Sequence, residues 1–570
     1  MDRDSPLATF GIRTEADVAV TMRDGVVLRS HVFRPDAPGA FPGILLRTPY
    51  GKPESGYERY VRAGYVVVTQ DSRGRYASEG DYIPFTEPDT GDGPDGYDAV
   101  EWLAAQPWCD GNVGTLGASY NAWMQWQLAK LRPPHLKAMC AYTIPLELTA
   151  VDWPGGFRPG RRIKWWLTTM APDLRRRADW PPPHTPAEAR RLWDEIEGEG
   201  HWIGYLPWQD FPRHLPPGLR QYCESWLAEP DRRPWRFDQI HQEVDVPNLD
   251  FSGWYDHCND SMRHLQLMQN NGRSDAARRA TKLVCGPWNH PGLGRRQIDD
   301  FDFGPQAALD LPDVIMRWFD HWLKGIDNGI EAEPAVRYFV MGGQGRWRTA
   351  DTWPPETTTT QLHLASGGDA RHAVGGGQLG TAAEQASAAP EDRFDYDPTN
   401  PVPTLWSKAW FTGPGDRRQL EYRPDILIYR TPPLPVDIEI AGYPRVVLFV
   451  SSTAPDTDFF ARLVDEADEG PAAEVSYGMV RLRHRHGLGE DDLLSAGERA
   501  ELSIELGPTA CRFVAGHRIR LEITSSDFPN HDRNHNTGRN DLADVELVTA
   551  TNTVHHDQDH PSRLLLPVLE

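Results

Sequence analysis

The sequence predicts a mainly parallel, doubly wound α/β sheet, interrupted by a helical insertion and followed by an antiparallel β-sandwich. Three observations carry this expectation. Short apolar runs bounded by turn residues alternate with helix-period segments over the first 145 residues, and the same texture returns at 246. Between them Pro, Trp and Arg become dense, and helical signals replace strands. After about Trp353, strand-like runs succeed one another with no strong helix between them.

Taken in order, 18–22 and 26–32 flank Asp24-Gly25 and predict a hairpin with a type I′ turn, because Asp-Gly readily takes positive φ angles. Runs 43–47 and 64–69 are short, mainly apolar and bounded by turn residues, as expected of strands buried on both faces, and a helix is predicted over 55–63 between them. Val100, Leu103 and Ala104 fall at helical spacing within 96–105. A strand over 113–116 runs into a helix over 122–131. In the insertion, Thr185-Pro186-Ala187-Glu188 is a capping box with Pro at the first helical position, opening a helix through about Ile196. Strands return over 246–253 and 280–286, and a helix over 314–323. Sandwich strands are predicted over 425–429, 445–451, 459–464, 474–483, 500–506, 518–524 and 545–549. The stretch 366–390, rich in Gly and Ala, reads as loop or hairpin. The expected boundaries are 1–145 and 241–353 for two parts of one α/β domain, 146–240 for a helical cap inserted into it, and 354–570 for the sandwich.

The bulk numbers narrow the function classes. The chain has 570 residues, too many for one core. A net charge of −23 would repel nucleic acid and anionic membrane, and Arg175-Arg176-Arg177 is too short to reverse that. The six cysteines are scattered with no C-x-x-C pair, which argues against a zinc knuckle or disulfide scaffold. No signal pattern opens the chain, and no apolar run approaches the ~20 residues of a membrane helix, so a cytoplasmic location is expected. Many of the 21 tryptophans fall between Trp102 and Trp254, which suggests an aromatic-lined cavity, though most are expected in the core. His531, His535, His555, His556 and His560 match no metal-binding spacing and are expected in sandwich loops. Gly375-Gly376-Gly377 lacks the Lys and helix of a phosphate loop. No metal and no cofactor are expected. The expected partner is a small molecule, and a homodimer stays open.

The chemistry centres on Val113-Gly114-Thr115-Leu116-Gly117-Ala118-Ser119-Tyr120-Asn121-Ala122. A serine on a tight strand-to-helix turn is pushed into a cleft at the end of a sheet, and the turn needs small neighbours. Gly117 and Ala118 meet that need, but Asn121 stands where a second glycine is usual. The plainer reading is that Ser119 caps the following helix. A serine nucleophile needs a base and an orienting acid, and folds of the α/β-hydrolase class supply them in the order nucleophile, acid, base. Asp256 and His290 each come just after a predicted strand, where a parallel sheet builds its site. His257 and Asp260 are rivals. His201 and His214 read as surface. For the oxyanion, the backbone N–H of Tyr120 is one donor candidate and Tyr50 another; a tyrosine packing at a loop base is the plainer reading of Tyr50.

These residues sit in blocks that resemble the family of cocaine esterase and the X-Pro dipeptidyl-peptidases. The blocks are Arg47-Thr48-Pro49-Tyr50-Gly51-Lys52, Gln70-Asp71-Ser72-Arg73-Gly74-Arg75 with Ser78-Glu79-Gly80, Asp95-Gly96-Tyr97-Asp98, Trp102, Gln106-Pro107-Trp108, Gly117-Ala118-Ser119-Tyr120, Gly253-Trp254-Tyr255-Asp256 and Gly286-Pro287-Trp288-Asn289-His290. Asp456-Thr457-Asp458-Phe459, Ser525-Ser526-Asp527-Phe528-Pro529 and Asp532-Arg533-Asn534 continue the match to the C-terminal part. The resemblance implies an α/β-hydrolase domain, an inserted helical cap and a C-terminal jelly roll. It implies the triad Ser119, Asp256 and His290, and that Tyr50 donates its hydroxyl to the oxyanion beside the Tyr120 amide. It places Trp165 and Trp166 where relatives hold an acyl-pocket aromatic. Ala122 departs from the family's usual glycine. The implied activity is hydrolysis of a carboxylic ester or amide through an acyl-enzyme, with no cofactor. Alternatives are an X-Pro dipeptidyl-peptidase, for which Glu195 or Glu197 could anchor the substrate ammonium, a β-lactam acylase or amino-acid ester hydrolase, and a carbohydrate-binding protein with a silent hydrolase domain.

Overall fold

The structure is a computed structural model. It describes residues 9–85, 91–148, 151, 153–228, 239–258, 260–371, 376–381, 391–406, 411–488 and 491–570. Gly375 and much of 366–390 lie outside the described residues.

Eight strands build the centre: β1 (Ile12–Thr21), β2 (Val27–Pro35), β3 (Phe41–Thr48), β4 (Val66–Asp71), β5 (Cys109–Ala118), β6 (Leu136–Tyr142), β7 (Leu249–Tyr255) and β8 (Lys282–Asn289). The first six pair in the order β1-β2-β4-β3-β5-β6, parallel from β4 onward. A parallel bridge from Met139 to Asn248 and a hydrogen bond from Thr143 N to Phe251 O carry the order on to β7 and β8. Strands Val336–Val340 and Arg346–Ala350, which the sequence reading missed, complete that edge. Every residue of β4 and β8 is buried. That is why Val66-Val67-Val68 and Leu283-Val284-Cys285 at their centres read as continuous apolar runs rather than alternating ones.

Helices cover both faces. On one, α2 (Asp92–Ala104) and α3 (Tyr120–Ala129) pack together and merge their core with the cap. On the other, α1 (Glu58–Arg62) lies with helix Leu311–Lys324, whose Trp318 and Phe319 join Ile44, Val67 and Phe251. The β1–β2 turn departs from expectation. Gly25 alone has a left-handed φ (89°), Gly25 N donates to Met22 O, and Met22 N donates to Val26 O. This is a three-residue loop with glycine at its left-handed position, not type I′. Arg23, gripped by Asp98 through its backbone and guanidinium, holds the loop in that form.

Between β6 and β7 lie the cap helices, including Gly160–Trp165, Ala171–Arg177, Pro186–Glu195 and Pro217–Ala228. The Thr185–Glu188 capping box forms as predicted. Residues 158–160 run beside 530–532 of the sandwich: Gly160 N donates to Asn530 O, Asp532 N to Arg158 O, and the Arg158 guanidinium meets Asp532. Arg481 then links Asp458, Asp532 and Asp541, all of it buried. Despite burial, Arg481 and Arg158 hold the Asp532 carboxyl below its ordinary value.

The C-terminal part is an antiparallel sandwich of the jelly-roll kind. Strand Asp458–Glu466 pairs with Ala472–Arg481 and Arg518–Thr524, and Ala550–His555 lies between Glu391–Tyr396 and Arg445–Ser452. Its core is continuous with Trp254, Tyr338 and Phe339 of the central sheet. No strand forms over 545–549; the strand begins at Ala550. Asp544 accepts from Glu546 N and Asn536 donates to Val548 O, so this backbone is held by side chains and Val545 stays exposed.

Candidate active site

Ser119 stands between β5 and α3 with φ 58° and ψ −125°, a conformation in which a non-glycine residue is strained. Its backbone N donates to Tyr142 O (3.0 Å) and to Thr143 Oγ1 (3.1 Å), tying the turn to the end of β6. Thr143 N in turn donates to Asp250 on β7, whose carboxyl is pushed well up by burial. The departure at Asn121 has a packing answer. A Cβ on Gly117 would come within 2.6 Å of Asn121 Cβ, so the first glycine leaves the room that the second would normally leave. Ala122 is fully buried in the core beneath the turn.

Asp256 and His290 stand just past β7 and β8, neighbours in the sheet. His290 Nδ1 donates to both oxygens of Asp256, at 2.9 Å and 3.1 Å. The carboxylate is shut off from solvent and also accepts from Cys258 N at 2.8 Å. A buried acid so held fixes the tautomer of the imidazole and leaves Nε2 as the acceptor. Three parallel strands thus deliver Ser119, Asp256 and His290 to the same carboxyl-terminal edge.

The rivals fall into other roles. His257 packs at a tilt against His290 with ring centroids 4.5 Å apart, and Phe411 stacks on both. Burial, with Arg161, His290 and Arg162 adding to it, holds the His257 imidazole well below its ordinary value, so it is neutral. Asp260 lies beside Arg263 and His264 at the start of helix Ser261–Asn271. His201 is exposed and His214 half-buried beside Trp202 and Tyr205.

Tyr50 comes after β3, half-buried, in a loop that Arg75 secures by donating to Pro49 O (2.8 Å) and to Met170 O of the cap (2.9 Å). Burial pushes its phenol up to about 12, against a hydrogen bond from Trp165 and the nearby charge of Arg162. The hydroxyl is therefore a neutral donor at ordinary pH. Tyr120 contributes only backbone at this edge, since its phenol is buried, donating to Asp92 Oδ2 and accepting from Phe85 N.

The two cap tryptophans separate. Trp165 is half-buried, under Arg162 at 4.6 Å and near Phe85. Trp166 has no exposed surface; it stacks on Phe211 and meets Trp226 edge-on. The expectation of substrate contact is corrected for Trp166, because adjacent helical residues point about 100° apart and only one can face the site. Glu195 and Glu197 are exposed, and Glu195 pairs with Arg191 on its own helix, so neither offers a sheltered ammonium anchor.

Of the histidines expected in sandwich loops, His555 is corrected: it ends a strand, bonded to Ser451, whereas His531, His535, His556 and His560 lie outside the strands, His556 fully buried against Asp392. The sequence reading missed Phe411 altogether. Thr412 bonding to Tyr255 O brings it to the site from the sandwich side, and only an aromatic in a Gly/Pro-flanked loop marked it. A cavity of about 330 Å³ lies against the acid, lined by Arg161, Tyr255, Asp256, His257, Asp260 and Glu474; Ser119 and His290 do not line it.

Known proteins resemble this chain over most of its length. Residues 24–292 match the X-Pro dipeptidyl-peptidase (S15 family) model, and 328–565 match the X-Pro dipeptidyl-peptidase C-terminal non-catalytic domain. Cocaine esterase of Rhodococcus sp. (strain MB1 Bresler) is 34% identical, covering 97% of this chain and 98% of that protein. A putative serine esterase of Mycobacterium bovis is 26% identical, covering 97% and 95%. Among solved structures, an aminopeptidase from a marine sediment archaeon, Thaumarchaeota archaeon, has a TM-score of 0.78 at 22% identity, covering 100% of this chain and 98% of that one. An α-amino acid ester hydrolase has a TM-score of 0.74 at 22% identity with the same coverage. At that identity both speak for the fold alone. The chain belongs to the S15 family of serine hydrolases, the family of cocaine esterase and the X-Pro dipeptidyl-peptidases.

Proposed function

We infer that this protein is a carboxylic ester hydrolase working through an acyl-enzyme on Ser119. The observation that carries the reading is the His290–Asp256 hydrogen bond at 2.9 Å, at the sheet edge where Ser119 occupies its strained turn. Ser119 attacks the substrate carbonyl while His290 Nε2 takes its proton. Asp256 steadies the imidazolium. The oxyanion is met by the Tyr120 N–H and the Tyr50 hydroxyl. The imidazolium then protonates the leaving alcohol, and water repeats the sequence in reverse to free the acid.

Ester rather than dipeptide substrates are favoured by what surrounds the site. Arg161 and Arg162 bear on His257, and Arg162 also on Tyr50. These guanidiniums disfavour a substrate ammonium beside His257 and Tyr50, and the cap glutamates weighed for it face solvent. An apolar or aromatic acyl group fits beside Trp165 and Phe411. The boundaries 1–145, 146–240, 241–353 and 354–570 are the domain division we adopt. All six cysteines are buried and outside disulfides, which supports a reducing, cytoplasmic setting. Among the described residues no helix is long and apolar enough to cross a membrane.

A fluorophosphonate should label Ser119 on the folded protein, and p-nitrophenyl acyl esters should be cleaved far faster than a Gly-Pro anilide. Absence of the adduct would overturn the serine mechanism. A reversed preference would return the chain to the dipeptidyl-peptidase alternative.

A further inference from the structure

Beside His290 the chain sets a second imidazole and a thiol that ester hydrolysis does not use. Asp256, His257, Cys258 and His290 each present a ligand atom, and these atoms all lie within 4.8 Å of one another. Both imidazoles turn toward one carboxylate oxygen. Nδ1 of His290 is 2.9 Å from Asp256 Oδ1 and Nδ1 of His257 is 3.6 Å from it. Nδ1 of His257 is buried and makes no hydrogen bond among the described residues. The cavity lined by Asp256 and His257 gives a small ion a route to the cluster.

We propose that Asp256, His257, Cys258 and His290 form a binding site for a soft divalent cation such as Zn²⁺, and that its occupancy switches the hydrolase off. The donor set of one thiolate, two imidazoles and one carboxylate selects Zn²⁺ or Cd²⁺ over Mg²⁺ and Ca²⁺, which require oxygen ligands. Ligand atoms around tetrahedral zinc stand roughly 3.3–3.8 Å apart, so the cluster needs to contract by about 1 Å, within reach of side-chain rotation. A dication with one carboxylate and one thiolate is neutral overall. That makes burial near Arg161 and Arg162 tolerable.

The proton balance gives the inhibition. Cys258 releases its thiol proton to solvent. At His290 the cation takes Nδ1, and the proton held there moves to Nε2. The imidazole remains neutral, but Nε2 is now a donor and cannot accept the Ser119 proton. No electrons are transferred. The inhibitory half rests on the reading of His290 as base; the binding half does not.

The test titrates chelator-treated protein with Cd²⁺, following thiolate-to-metal absorption and calorimetric stoichiometry, and separately follows ester hydrolysis under Zn²⁺. Wild type and Ser119→Ala should each bind one cation with the absorption band. Zn²⁺ should inhibit wild type reversibly on chelation, whereas Mg²⁺ and Ca²⁺ should not. Cys258→Ser should lose the band. Cys258→Ser and His257→Ala should each require at least about tenfold more Zn²⁺ for half inhibition, relative to their own metal-free rates. No band in wild type, or unchanged Zn²⁺ sensitivity in both variants, overturns the site. Stoichiometric binding with undiminished hydrolysis would keep the site and overturn the switch, together with the base role of His290.

Discussion

Asp256→Asn isolates the electrostatic part of the site. The side chain keeps its shape in a place closed to water, but it loses its charge and presents an NH₂ group where an acceptor stood. At 2.9 Å and an effective dielectric of about 20, attraction between a His290 imidazolium and the carboxylate is roughly 6 kcal/mol. That interaction exists only once His290 has taken the serine proton, so its loss falls on the transition state and not on binding. The expected effect is a fall of about 10⁴ in kcat, or about 5 kcal/mol, with KM little changed. Pre-steady-state hydrolysis of a p-nitrophenyl ester measures it, because the acylation burst reports the step in which the imidazolium forms. Thermal unfolding serves as control, and removing a buried charge should leave Tm at or above wild type. A loss of less than about tenfold with intact folding would refute the assignment of Asp256 as the acid.

Three further outcomes are expected. Tyr50→Phe should lower kcat by about 10²–10³ with KM nearly constant, checked by steady-state kinetics; a silent variant would mean that Tyr50 only packs the loop. Trp166→Ala should cost about 3–5 kcal/mol in denaturant unfolding, since it empties the cap core, whereas Trp165→Ala should shift acyl-chain preference and leave stability nearly unchanged. Burial pushes the Asp260 carboxyl up to about 7, opposed mainly by Arg263. Because this pKa is raised, the folded state binds the proton more tightly than the unfolded chain. Stability from this group is present below pH ~4 and lost as pH rises through about 7. Asp260→Asn should therefore stabilise the protein at pH 8 by up to about 4 kcal/mol and make no difference near pH 4, read from urea midpoints.

Much of this was legible in residue order, for reasons specific to each place. Strands such as β4 and β8 announce themselves because both faces are covered and their central residues are continuously apolar. Ser119, Asp256 and His290 could be placed because each comes directly after such a strand, and a parallel sheet gathers the residues beyond its strand ends at one edge. The features that stayed hidden depend on contacts remote in sequence. Nothing local distinguishes Trp165 from Trp166; the cap core decides. Phe411 reaches His290 from a distant part of the chain. The turn at Gly25 answers to Asp98, and 545–549 has the composition of a strand but its backbone is held by Asn536 and Asp544.

The pairing of residues 158–160 with 530–532 has a consequence for how substrate arrives. Swinging the cap away from the sandwich would pull Arg158 from Asp532 and break the backbone pairing beside it, leaving Asp532 to Arg481 alone, a penalty of several kcal/mol. The cap is therefore better regarded as a fixed wall of the molecule than as a hinged gate, and substrate selection falls to the shape the cap and sandwich hold together rather than to a closing motion.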